Sequence, residues 1–102
     1  MVVAAGNSSS KAIHYSPANS KGVITVAATD PLNNLASFSN TLEGIEMGVY
    51  APGVDILSTF PNNSYETFSG TSMATPFVAG LVAMMKSIKP VSYTHLTLPT
   101  IA

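Results

Sequence analysis

The sequence has no cysteine, no arginine and little charge of either sign. The missing cysteines exclude disulfides and cysteine-ligated zinc. They suit a protein that leaves the cell, without fixing its compartment. Its cations are four lysines and its net charge is −1, so no basic stripe is available for phosphates and nucleic-acid binding is not expected. Charged residues make up 9% of the 102 residues and hydrophobic ones 46%. An average soluble domain carries about 25% charge. A short chain with so few charges has little surface of its own, and reads as the interior slice of a larger fold. No apolar run approaches the roughly 20 residues of a membrane span, so no membrane partner is expected. Met1 leads straight into Val2-Val3-Ala4-Ala5 with no cationic segment before it, so no secretory signal is visible in these residues.

What is present falls into short apolar runs between turns. Val2–Ala5 is a continuous apolar run closed by Gly6-Asn7, and Val23–Ala28 is a second. Both fit strands buried on two faces, as in a parallel sheet. Met47–Tyr50 predicts a third strand, entering a Pro52-Gly53 turn. Residues 56–68, centred on Pro61-Asn62-Asn63, predict a β-hairpin. Ala36–Asn40 is serine-rich and irregular.

One helix is expected, from Ser72 to about Ile88. Met73, Phe77, Leu81, Met84, Met85 and Ile88 fall at helical spacings, thickened by Val78 and Val82. A helix so apolar should be buried on most sides, which a chain of this length cannot achieve alone. Pro76 is expected in its first turn, where a missing N–H is tolerated. The fold class is therefore α/β: parallel strands, a hairpin, then a central buried helix.

Ser72 stands at the mouth of that helix. Unpaired N–H groups and the positive end of the helix dipole lie beside such a residue. They serve capping, the commoner use of serine here, or they hold a developing oxyanion next to a nucleophile. Gly6-Asn7, taken alone, is a strand-ending turn.

The order of residues speaks to both. Gly70-Thr71-Ser72-Met73-Ala74-Thr75-Pro76-Phe77-Val78-Ala79-Gly80 resembles the nucleophile motif of subtilisin-like serine proteases. Val2-Val3-Ala4-Ala5-Gly6-Asn7 resembles the strand that carries that family's oxyanion asparagine. Ser16-Pro17-Ala18, Val23–Ala28, Ala36–Asn40 and Ala51–Ile56 follow in the family's order. The resemblance runs from Val2 to about Pro90. It implies a partial subtilisin-like fold, with residues 1–90 the C-terminal part of a catalytic domain.

The resemblance also implies roles. Ser72 matches the nucleophile of a peptide-bond hydrolase acting through an acyl-enzyme, and Asn7 the side-chain donor of the oxyanion hole. Ala4, Ala5 and Gly6 match one wall of the substrate cleft, and Thr71 a supporting position beside the substrate. Phe77 stands where the family often has a histidine that packs in the core and is not catalytic. Ser16-Pro17 matches a peptide that is often cis in the family; an ordinary trans proline is the alternative. The backbone carbonyls of Ala18, Ser20 and Val23 match a weak cation site, so a structural calcium is an expectation for the parent. No cofactor is expected for catalysis. The implied partners are a peptide or protein substrate and the upstream half of the same domain, and an extracellular parent is expected. A non-catalytic subtilase-like module is the alternative function. An α/β-hydrolase esterase is rejected, because Gly70-Thr71-Ser72-Met73-Ala74 lacks the second glycine of Gly-x-Ser-x-Gly.

A serine hydroxyl needs a base, and the base an orienting acid. In the family both precede the asparagine, so neither is expected here. His14 lies in a loop where the family has no catalytic histidine. Asp30 and Asp55 are read as turn residues. Residues 91–102, V-S-Y-T-H-L-T-L-P-T-I-A, resemble translated sequencing-adaptor sequence and are set aside as a non-native tail, His95 included.

Overall fold

The computed structural model describes residues 1–88. The expectations for the tail, and for Lys89 and Pro90, lie outside the described residues. Three strands form one sheet: β1 (Val2–Ala4), β2 (Ile24–Thr29) and β3 (Gly48–Pro52), in spatial order β1-β2-β3. Both pairings are parallel, with Val2 opposite Ile24 and Thr25 opposite Gly48. A 3₁₀ turn at Ala12–His14 lies in the first crossover. Then come β4 (Ile56–Phe60) and β5 (Ser64–Phe68), an antiparallel hairpin, and helix α1 (Thr71–Ile88).

The central strand β2 is buried on both faces, as its unbroken apolar run requires. Ile24, Val26 and Ala28 meet Ala74 and Val78 of α1 on one face. Ala27 packs with Ala5, Ala12 and Ala18 on the other. Alanines on that second face let the crossover loops lie close to the sheet. Thr25 is fully buried, and its hydroxyl donates to the Ala18 carbonyl at 2.7 Å. The hairpin is closed by the three residues Pro61-Asn62-Asn63, with Asn62 (φ 67°) and Asn63 (φ 56°) in the left-handed region that asparagine tolerates.

Four expectations need correction. The third strand does not stop before Pro52 but ends on it, paired with Thr29. Among the described residues β3 lies at the edge of the sheet, where its last residue can lack an N–H without breaking a ladder. The helix begins one residue earlier than expected, at Thr71, so Pro76 lies beyond the first turn. Its missing N–H leaves the Ser72 carbonyl without its helical partner. The helix is also not buried on most sides. Thr71, Ala74 and Val78 are buried, whereas Phe77, Met84 and Ile88 are exposed, because the three-stranded sheet covers one face only. Finally, α1 is 18 residues long with a mean hydropathy of 1.2, long and apolar enough to cross a membrane by length and composition. Here it lies against the sheet instead. The Ser16–Pro17 peptide is cis, the first of the two alternatives read from the sequence.

Candidate active site

The C-terminal end of β1 and the start of α1 meet at one corner. Gly6 leaves the strand with φ +108°, a conformation suited to glycine. The turn brings Asn7 to the helix entrance. Asn7 Oδ1 accepts two hydrogen bonds from Thr71, one from its N–H (2.9 Å) and one from its hydroxyl (2.8 Å). The Thr71 hydroxyl in turn accepts the Gly6 N–H at 3.1 Å. Thr71 is almost fully buried, so this small ring is shielded from competing water.

Those bonds orient the asparagine amide. A backbone N–H can only donate, so the atom facing it is the oxygen, and Nδ2 points away. Among the described residues Nδ2 has no acceptor, and Asn7 is exposed. Gly70 lies beneath it: a methyl group there would stand 3.4 Å from Nδ2.

The first turn of α1 completes the picture. The Gly70 carbonyl accepts from the N–H groups of Met73 (3.0 Å) and Ala74 (3.3 Å). The Thr71 N–H is taken by Asn7, and the Thr75 hydroxyl bonds the Thr71 carbonyl at 2.8 Å. The Ser72 N–H has no protein partner among the described residues, one of the orphan donors of a helix start. Ser72 itself is exposed. The corner thus presents a hydroxyl, a free backbone N–H at the positive end of a helix, and a side-chain amide N–H₂ fixed by its own oxygen. Such a set can hold an oxygen that gains negative charge.

Asn7, Gly6, Thr71 and Ser72 are brought together. The other expected positions divide. Ala4 and Gly6 are half-buried at the same strand end, but Ala5 turns its methyl into the cluster beneath the sheet, so only its backbone can face a cleft. Ala18, Ser20 and Val23 line a separate hollow, together with Lys21 and Glu46. Calcium takes six to eight oxygen ligands. The carbonyls of Ala18, Ser20 and Val23 are three oxygens, that of Ala18 already accepting from the Thr25 hydroxyl, so they supply only part of such a shell. A calcium in the parent would need ligands from beyond these residues. Asp30 accepts the N–H groups of Leu32 and Asn34, each at 2.9 Å, and so closes its own turn. His14 is an exposed member of the 3₁₀ turn.

Sequence reasoning missed Asn40. It is fully buried, and its side chain donates to the Ala5 carbonyl (2.9 Å) while accepting from the N–H groups of Ser8 and Ser10 (3.0 Å each). Nothing in a serine-rich stretch marks one asparagine as a clamp on a loop more than thirty residues earlier.

With this geometry in view, sequence comparison is informative. The sequence model of the Subtilase family matches residues 1–101, and the chain belongs to that family. It is 48% identical over 88 residues to Proteinase R of Parengyodontium album, covering 86% of this chain and 22% of that protein. To Subtilisin BL of Lederbergia lenta it is 46% identical over 90 residues, covering 88% of this chain and 32% of that protein. Among solved structures it resembles a cold-adapted subtilisin-like serine proteinase (TM-score 0.78, 41% identity, 84% of this chain and 31% of that one). It also resembles the prenylagaramide maturation protease PagA (TM-score 0.79, 36% identity, 87% and 32%). The chain therefore spans less than a third of the length of these relatives, and its partial α/β architecture is a piece of the subtilisin-like fold.

Proposed function

We propose that the protein carrying this segment is a serine endopeptidase in which Ser72 is the nucleophile. The observation that carries the reading is the Asn7–Thr71 pair of hydrogen bonds. It leaves Asn7 Nδ2 and the Ser72 N–H as the two unspent donors beside an exposed serine hydroxyl. In the proposed reaction Ser72 Oγ attacks the carbonyl carbon of a peptide bond and gives its proton to a base. The carbonyl oxygen becomes an oxyanion, accepted by Asn7 Nδ2 and the Ser72 N–H. The C–N bond then breaks, the amine leaves with the proton, and water hydrolyses the acyl-enzyme. Ala4 to Gly6 form one backbone wall of the substrate cleft, with Thr71 as its support. The small residues of that wall favour apolar or aromatic side chains before the scissile bond. The base and its orienting acid come from chain outside these residues, the partner half of the same domain. The names of the relatives, a proteinase and a subtilisin, support protein or peptide substrates.

The test is to express the intact catalytic domain, treat it with an active-serine phosphonylating probe and assay casein hydrolysis. Labelling at Ser72, abolished in Ser72→Ala together with hydrolysis, is expected. A folded domain that neither labels nor hydrolyses would overturn the enzyme and leave a non-catalytic module of the same fold.

A further inference from the structure

We infer that Asn40 is a positioning residue for the oxyanion hole: it fixes the loop on which Asn7 stands without touching Asn7. The inference rests on the protease reading above.

Asn40 is fully buried, in a segment with no regular structure. Its side chain makes three hydrogen bonds and its N–H a fourth. Nδ2 donates to the Ala5 carbonyl (2.9 Å), Oδ1 accepts from the Ser8 and Ser10 N–H groups (3.0 Å each), and the Asn40 N–H donates to the Gly6 carbonyl (2.9 Å). These partners bracket residue 7 on both sides. The Ala5 N–H still bonds the Val26 carbonyl of β2, and the Ser9 N–H and Ser10 carbonyl pair with the Phe38 carbonyl and the Thr41 N–H; the Asn40 amide serves the Ala5 carbonyl and the Ser8 and Ser10 N–H groups between them. Only an amide fits the demand, since the loop presents both a carbonyl needing a donor and N–H groups needing an acceptor.

Asn40 is itself anchored to the core. The Ser39 hydroxyl accepts from the Ala28 N–H of β2 and donates to the Asn40 carbonyl, both at 3.0 Å. The position of Asn7 is thus referred to the central strand through Asn40, and to the helix through Thr71. Removing the Asn40 side chain takes away its three bonds to Ala5, Ser8 and Ser10 and leaves the backbone ones, from Asn40 to Gly6, Ser9 to Phe38 and Thr41 to Ser10, so the turn that carries Asn7 is held less tightly. A shift of about 1 Å at a reacting group costs on the order of 100-fold in rate. The effect should appear in the transition state, where the oxyanion forms, and not in substrate binding.

The experiment uses the intact catalytic domain with Asn40→Ala, Asn40→Asp, Asn7→Ala and the two double variants. Stoichiometric phosphonylation of Ser72 counts competent molecules, so kcat is expressed per folded site. Asn40→Ala is expected to lower kcat roughly 10- to 100-fold with KM within about 3-fold. In the Asn7→Ala background the same substitution should lower kcat less than about 3-fold further, because the donor it positions is gone. Asn40→Asp keeps the volume and both acceptor bonds while losing the donor to Ala5. It should show a smaller loss with the same dependence on Asn7, and it carries the comparison if Asn40→Ala does not accumulate. Equal losses in both backgrounds, or a loss confined to KM or to the number of labelled sites, would overturn the inference and make Asn40 purely structural. An unsubstituted domain that does not label would overturn the protease reading itself, and this inference with it.

Discussion

Thr71 and Asn7 are bound to each other twice: the backbone N–H and the hydroxyl of Thr71 both donate to one oxygen, Asn7 Oδ1. The residue just before the proposed nucleophile therefore sets which way the amide of the proposed oxyanion donor faces. The same hydroxyl accepts the Gly6 N–H, so it closes the strand end onto the helix start.

Thr71→Val should separate these roles. Valine keeps the shape but leaves the Gly6 N–H without its acceptor and Asn7 Oδ1 with one donor in place of two. Each lost bond of this kind costs about 1–2 kcal/mol at a buried site. In the intact domain kcat should fall on the order of 10-fold with little change in KM, and Thr71→Ser should recover most of it. Steady-state kinetics on a peptide substrate checks both. Asn7→Ala should cost more, about 100- to 1,000-fold in kcat, the loss that removal of such a donor causes in subtilisin, a member of this family.

Gly53 supports the turn at Gly70 and Thr71 from below. Its N–H donates to the Thr29 carbonyl at 3.0 Å, and its carbonyl accepts the Gly70 N–H at 2.8 Å. A Cβ at position 53 would stand 2.6 Å from Ala28 Cβ, 2.7 Å from the Gly70 carbonyl oxygen and 3.2 Å from Ala74 Cβ. Gly53→Ala should therefore push the helix entrance off the sheet, with a cost of roughly 1–3 kcal/mol and a clear loss of activity. Adding Ala28→Gly removes one of the close contacts but not the backbone oxygen, so the double variant should regain stability only in part. Thermal unfolding of both variants measures this, and full recovery in the double variant would contradict it.

The skeleton was legible because it rests on local patterns. The β2 run and the α1 stripe each announce their period, and the Asn62-Asn63 turn announces its backbone. Ser72 and Asn7 were legible through ordered motifs. Asn40 was not, since its partners lie far away in sequence and its value comes from burial that no local pattern shows. The α1 stripe misled in one respect. Phe77, Met84 and Ile88 carry the same apolar signal as Val78, but a hydrophobic residue states that it should be covered, not that the cover is within these residues. Pro76 misled for a related reason: the helix start is set by the Gly70 carbonyl and the Asn7 cap, and the cap comes from a segment 64 positions earlier.

Gly6→Ala should be costly for two separable reasons. The φ of +108° disfavours any Cβ, and an added Cβ would stand 2.5 Å from Asn40 Nδ2. Strain at such a backbone angle costs about 1–3 kcal/mol. Removing the asparagine amide in Gly6→Ala/Asn40→Ala relieves the clash but not the angle. The double variant should then be less destabilised than the sum of the two single ones, by a coupling of about 0.5–3 kcal/mol. Chemical denaturation of the four proteins gives that coupling directly, and strict additivity would show that the two residues do not press on each other.

The last prediction concerns residues 1–88 by themselves. Along α1, Phe77 is 51% exposed, Met84 64% and Ile88 84%; in the hairpin, Leu57 and Tyr65 are 67% and 68% exposed. Ile56, Leu57, Met73, Pro76 and Phe77 line one open apolar hollow where the hairpin meets the helix. Soluble monomers seldom expose contiguous apolar patches beyond a few hundred Å². A two-stranded hairpin is marginal without something to pack on. The buried core is dominated by alanines, which contribute little area each, so the sheet–helix contact has little surplus to offset chain entropy. Expressed alone, the segment should bind a hydrophobic dye, associate at micromolar concentration and fail to label at Ser72, since in the proposed reaction the base comes from outside these residues. The intact domain, measured beside it, should label stoichiometrically. A monomeric, dye-silent segment that labels as fast as the intact domain would mean that the corner of Gly6, Asn7, Thr71 and Ser72 is stable and reactive without the rest of the fold.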